Sequence, residues 1–119
     1  MKTAMIVDDA TVMRIRLRDI LEPRYKVVAE ATNGLEAIEL FDQYLPDFVT
    51  LDITMPQMNG IDALERIMKR HPDAHVIVVS AVGQKKMVFD AIGRGAKDFI
   101  IKPFDPTRVM ASIDRLFDD

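Results

Sequence analysis

A chain of 119 residues suffices for one domain, whose core buries roughly two-thirds of the unfolded surface without covalent staples. It has no cysteine, which excludes disulfides, thiolate metal sites and cysteine nucleophiles. A net charge of −3 and a pI near 5.3 argue against DNA binding; with neither a signal peptide nor a membrane-length apolar run, the chain reads as soluble and cytoplasmic.

The elements alternate along the chain. Ala4–Val7 is a short apolar, strand-like run closed by Asp8-Asp9. Met13, Leu17, Ile20 and Leu21 share one face of a first helix, Arg14, Arg16 and Arg18 point elsewhere, and Pro23 ends it. Val27–Ala31 is the second strand and ends in Thr32-Asn33, with no obvious reactive group. Asn33 with Glu36 predicts a capped helix through Phe41. The third strand, Phe48–Leu51, runs into Asp52, and Leu64, Ile67 and Met68 pattern the helix that follows. Val76–Val79 leads to Ser80; Met87, Val88, Ala91 and Ile92 then predict a buried helical stripe, ending near a left-handed Gly95. Phe99–Ile101 leads to Lys102-Pro103. Asp105 as N-cap and Pro106 in the first turn open the last helix, whose stripe is Val109, Met110, Ile113, Leu116 and Phe117.

Five strands alternating with five helices predict an α/β fold, a parallel sheet covered on both faces, with residues 1–119 as a single domain. In such sheets ligands bind outside the carboxyl ends of the strands. Three acids, a hydroxyl and a lysine should therefore converge there. Each has an ordinary alternative: Asp8 or Asp9 as a helix cap, Asp52 as a loop acid, Ser80 as a turn residue, Lys102-Pro103 as a loop. The combination is what points to chemistry. Clustered carboxylates repel unless a cation intervenes, and a hard divalent ion such as Mg²⁺ (or Mn²⁺) suits sparse carboxylate sites. Lysine and serine supply a point charge and a neutral donor for a phosphoryl group, with a carboxylate as the acceptor.

Asp8-Asp9, the segment Leu51-Asp52-Ile53-Thr54-Met55-Pro56-Gln57-Met58-Asn59-Gly60, Ser80-Ala81 and Lys102-Pro103-Phe104 together resemble the response-regulator receiver signature, in order and along the whole chain. The resemblance implies a flavodoxin-like (βα)5 fold with strand order 2-1-3-4-5. It implies Asp52 as phosphoacceptor and a metal held by Asp8, Asp9, Asp52 and the Thr54 backbone carbonyl. It gives Ser80 and Lys102 the phosphoryl contacts, Phe99 the role of rotamer switch on the fifth strand, and Pro103 a preceding cis bond. Ser80 stands where threonine is commoner, and Phe99 where tyrosine is frequent.

The stretch Ser80–Gln84 with Gly95-Ala96-Lys97-Asp98-Phe99 particularly resembles the stand-alone chemotaxis type of non-enteric bacteria and archaea. It implies a histidine kinase as donor, a flagellar motor switch protein as target, a phosphatase, and a monomer that signals by binding. With one helix after Lys102, no attached output domain is expected. A second reading is a phosphorelay intermediate that passes phosphate to a histidine phosphotransfer protein. A flavin module is disfavoured because Asp8-Asp9-Ala10-Thr11 puts negative charge where a phosphate would sit. An enzyme acting on outside substrates is disfavoured because no general acid accompanies Asp52. Phe89, outside the buried stripe of the fourth helix, is a partner-contact candidate if exposed. The eight methionines read as core filling, and His71 and His75 as solvent residues away from the acids.

Overall fold

In the computed structural model, which describes residues 1–55 and 58–117, each apolar run becomes a strand. These are β1 (Thr3–Val7), β2 (Lys26–Ala31), β3 (Phe48–Asp52), β4 (Val76–Ala81) and β5 (Asp98–Lys102). They pair in parallel in the order β2-β1-β3-β4-β5, as expected. Helices α1 (Thr11–Leu21), α2 (Gly34–Tyr44), α3 (Gly60–Arg70), α4 (Lys85–Gly93) and α5 (Pro106–Phe117) alternate with them.

Successive strand residues face opposite sides of a sheet. Met5 and Val7 of β1 therefore join Val49, Leu51, Val76 and Val78 beneath α2, α3 and α4. Ala4 and Ile6 join Phe48, Ile77, Val79 and Ile100 beneath α1 and α5. The central strand β3 is buried along its whole length, which explains its unbroken apolar texture.

The helix starts follow the sequence closely. Asn33 Oδ1 accepts the Glu36 N–H at 2.9 Å, and Asp105 Oδ1 accepts the Arg108 N–H at 2.8 Å. Glu36 itself reaches back to the Thr32 N–H and hydroxyl rather than to Asn33, a displaced version of the reciprocal cap. Gly95 has φ +116°, and the Lys102-Pro103 bond is cis.

Two expectations need correction. Ile92 is 40 % exposed, because the stripe of α4 centres on Val88 and Ala91 and Ile92 falls at its margin, at about 100° per residue. His71 and His75 are half-buried rather than solvated. His71 packs on Phe41 and pairs with Asp42 at 2.8 Å, while His75 lies edge-on to Phe117. Tertiary neighbours at the opposite end of the sheet from Asp52 capture both rings.

Candidate functional site

In this strand order the chain reverses direction across the sheet between β1 and β3, which opens a crevice at their carboxyl ends. Asp8 and Asp9 follow β1, and Asp52 is the last residue of β3. Their carboxylates offer ligand atoms within 4.8 Å of one another, with Asp8 and Asp52 buried and Asp9 exposed. The capping alternative does not hold: the residue before α1 is Ala10, and α1 has no side-chain cap. Asp8 instead accepts the Ala10 N–H at 2.9 Å through Oδ1 and leaves Oδ2 facing the crevice.

Lys102, the last residue of β5, enters from the far side of β4. Its Nζ lies 3.0 Å from Asp8 Oδ2 and 3.4 Å from Asp52 Oδ2. Burial draws the ammonium down, but the hydrogen bond to Asp8 and the charges of both acids hold it above the ordinary lysine value. Burial pushes the Asp52 carboxyl above the usual range, opposed by the Thr54 N–H, which donates to Oδ1 at 3.0 Å, and by Lys102. Three carboxylates against one ammonium leave two negative charges, which a divalent cation matches. Every donor is a hard oxygen, and exposed Asp9 leaves room for retained waters, so the set fits Mg²⁺.

Ser80 is buried in β4, and among the described residues its hydroxyl has no hydrogen-bond partner. A buried donor left unpaired is costly unless a ligand completes it. Phe99 is half-buried on β5, where Arg108 of α5 donates to its carbonyl at 2.6 Å and lies over its ring. Thr54 is exposed. Pro56 and Gln57 lie outside the described residues.

Several neighbours make contacts that the sequence did not signal. Arg14 donates to the Asp8 carbonyl at 2.8 Å, and Arg16 to the Phe104 carbonyl at 2.7 Å, so α1 braces the loops on both sides of the crevice. Gly60 lies so close to β3 that a Cβ there would sit 2.2 Å from the Asp52 carbonyl oxygen. Gly60 closes the segment that carries the receiver resemblance, but its close approach to β3 is set by packing after the Asn59 cap. Gln84 bridges the loops after β3 and β4.

A family model for the response regulator receiver domain matches residues 4–114. The chain belongs to this family. Over 116 residues the receiver domain is 54 % identical to the chemotaxis protein CheY of Thermotoga maritima, covering 97 % of each chain. It is 53 % identical over 112 residues to CheY of Listeria monocytogenes, covering 93 % of this chain and 94 % of that one. The CheX–CheY–BeF3–Mg²⁺ complex from Borrelia burgdorferi superposes with a TM-score of 0.95 at 36 % identity, covering 99 % of this chain and 90 % of that one. The flavodoxin-like architecture implied by the receiver resemblance is thus shared with a solved relative.

Proposed function

We propose that this receiver domain is a stand-alone chemotaxis response regulator, phosphorylated on Asp52 by a histidine kinase. The observation that carries the reading is the convergence of buried Asp52, Lys102 and the unpartnered Ser80 hydroxyl beside two further acids. The similarity to CheY proteins over nearly their full length supports the pathway and the stand-alone character.

The Thr54 N–H holds Asp52 Oδ1 and leaves Oδ2, beside Lys102, as the nucleophile. Oδ2 attacks the phosphorus of a phosphohistidine as the P–N bond breaks; the imidazole keeps the bonding electron pair and takes a proton from solvent. Burial raises the basicity of the carboxylate and so its nucleophilicity. Lys102 then pairs with the phosphoryl oxygens, and Ser80 donates its hydroxyl proton to one of them. Bound Mg²⁺, or Mn²⁺, would be held by Asp8, Asp9, Asp52 and the Thr54 carbonyl and would neutralise phosphoryl charge. In the reset, water attacks phosphorus, the acyl P–O bond breaks, phosphate departs and Asp52 returns as a carboxylate. The domain catalyses only these changes to itself.

The new phosphate carries nearly two negative charges. Ser80 and Phe99 are the elements through which it changes the surface of α4, β5 and α5, where Phe89, Ile92 and Ile101 are exposed. A motor switch protein reads that surface and a phosphatase ends the signal, with the regulator acting as a cytoplasmic monomer. Among the described residues no helix is long and apolar enough to cross a membrane.

Acetyl phosphate with Mg²⁺ should add one hydroxylamine-labile phosphoryl group, read by intact mass. Labelling that survives in Asp52→Asn, or needs no divalent ion, would refute the assignment. Lys102→Ala should retain some phosphorylation but lose phosphorylation-dependent switch binding; unchanged binding counts against its role. Rapid return of phosphate to a phosphotransfer histidine, with no switch binding, would instead establish the relay reading.

A further inference from the structure

We infer that Gln84 is a latch that ties the loop after β4 to the loop after β3 in the unphosphorylated domain, competing with the phosphoryl group for the Ala81 N–H. The inference rests on Asp52 being the phosphoacceptor. Gln84 immediately precedes α4 yet makes no side-chain bond to that helix's first N–H groups. Its carboxamide is divided between two other segments. Oε1 accepts the Ala81 N–H at 2.7 Å, while Nε2 donates to Thr54 Oγ1 and lies 3.9 Å from Met87 Sδ. The Thr54 N–H in turn holds Asp52 Oδ1 at 3.0 Å.

A continuous set of contacts therefore runs from Asp52 through Thr54 and Gln84 to Ala81, beside the unpartnered Ser80 hydroxyl. The links through Gln84 join neutral groups, so each is worth little net of water. Phosphate oxygens form charge-assisted bonds about twice as strong as neutral ones. The Ser80 hydroxyl and the Ala81 N–H are adjacent neutral donors at the end of β4. A phosphoryl oxygen takes the Ala81 N–H from the carboxamide, Gln84 is released, and the first turn of α4 is freed with it. Phosphorylation at Asp52 thus reaches α4 by a competition for one donor, alongside the hydrogen bond that Ser80 donates to the phosphoryl group.

Full-length wild type, Gln84→Ala and Gln84→Met test this, the methionine keeping length without polarity. Two quantities are measured: exchange of the Ala81 amide in metal-free protein, and beryllofluoride affinity at saturating Mg²⁺ by calorimetry. Both variants should exchange the Ala81 amide faster and bind beryllofluoride about five-fold tighter, the factor that one neutral hydrogen bond is worth. A merely structural Gln84 would lower thermal stability and leave affinity unchanged or weaker. That result, or unaltered Ala81 exchange, overturns the latch while wild-type binding upholds the role of Asp52. A wild type that binds no beryllofluoride removes the Asp52 reading and the latch together.

Discussion

Replacing Gly60 by alanine tests whether the end of β3 is held as tightly as its geometry implies. The backbone at Gly60 is not in the left-handed region, so the penalty is steric rather than torsional. An added Cβ would lie 2.2 Å from the Asp52 carbonyl oxygen, 2.5 Å from Ile53 Cα and 2.9 Å from the Asp52 carbonyl carbon. All three obstacles are backbone, and no side-chain rotation relieves them. The Gly60 N–H also donates to the Ile53 carbonyl at 3.2 Å, so retreat of α3 strains that bond as well. Overpacking of this kind costs about 1–3 kcal/mol, and rigid obstacles put Gly60→Ala in the upper part of that range. The better helix propensity of alanine offsets little in a first turn.

For a domain of this size 1 kcal/mol moves Tm by roughly 3–5 °C, so a fall of roughly 6–15 °C is expected in thermal melts followed by circular dichroism. Gly93→Ala is the internal control: it ends α4 with nothing within 4 Å of a new Cβ, and should gain about 0.4–1 kcal/mol. Because the collision is with the backbone of Asp52, Gly60→Ala should also show a smaller rise in Tm on adding Mg²⁺. A Gly60→Ala protein that melts with wild type, or a Gly93→Ala protein that loses as much, would refute the steric reasoning.

Asp98 is held by the Ser112 hydroxyl at 2.7 Å, Arg115 at 2.6 Å and the Phe99 N–H at 2.8 Å. Burial would raise its carboxyl, but these donors hold it below the ordinary value of 3.8. Its stabilisation is therefore complete above that value and fades as pH falls through the depressed folded pKa. Asp98→Asn should lose about 1–2 kcal/mol in urea melts at neutral pH. The gap should close in acid, and a pH-independent gap would be the contrary result. Lys102→Met leaves Asp8 and Asp52 without their ammonium. It should cost about 2 kcal/mol without divalent ions, less than a fully buried pair because the lysine side chain is 22 % exposed. Mg²⁺ should narrow that gap, and should stabilise wild type by about 2.7 kcal/mol at a hundred times its Kd. If Asp52→Asn responds equally to Mg²⁺ in the same melts, the carboxylate cluster is not the binding site.

Most of the architecture was legible because its signals are local. Apolar runs, helical stripes and the caps Asn33 and Asp105 act within a few residues of one another, and the alternation of strand and helix constrains the sheet. The candidate site was legible for the same reason: a parallel sheet delivers the residue after each strand to one end, so Asp8, Asp9, Asp52, Ser80 and Lys102 converge once the strands are known. The contacts within that site were not legible. That Lys102 lies closer to Asp8 than to Asp52, that Ser80 is left unpartnered, and that Gln84 joins Thr54 to Ala81 depend on side-chain rotamers set by packing. The same holds for His71 and His75, whose partners come from distant elements, and for Ile92, which the arc of α4 leaves at the margin of its contact. The sequence by itself determined which chemical groups meet at the end of the sheet, because strand termini are set by local patterning. Only the tertiary structure decided which of them touch, because those distances are set by loops and helices packed from far along the chain.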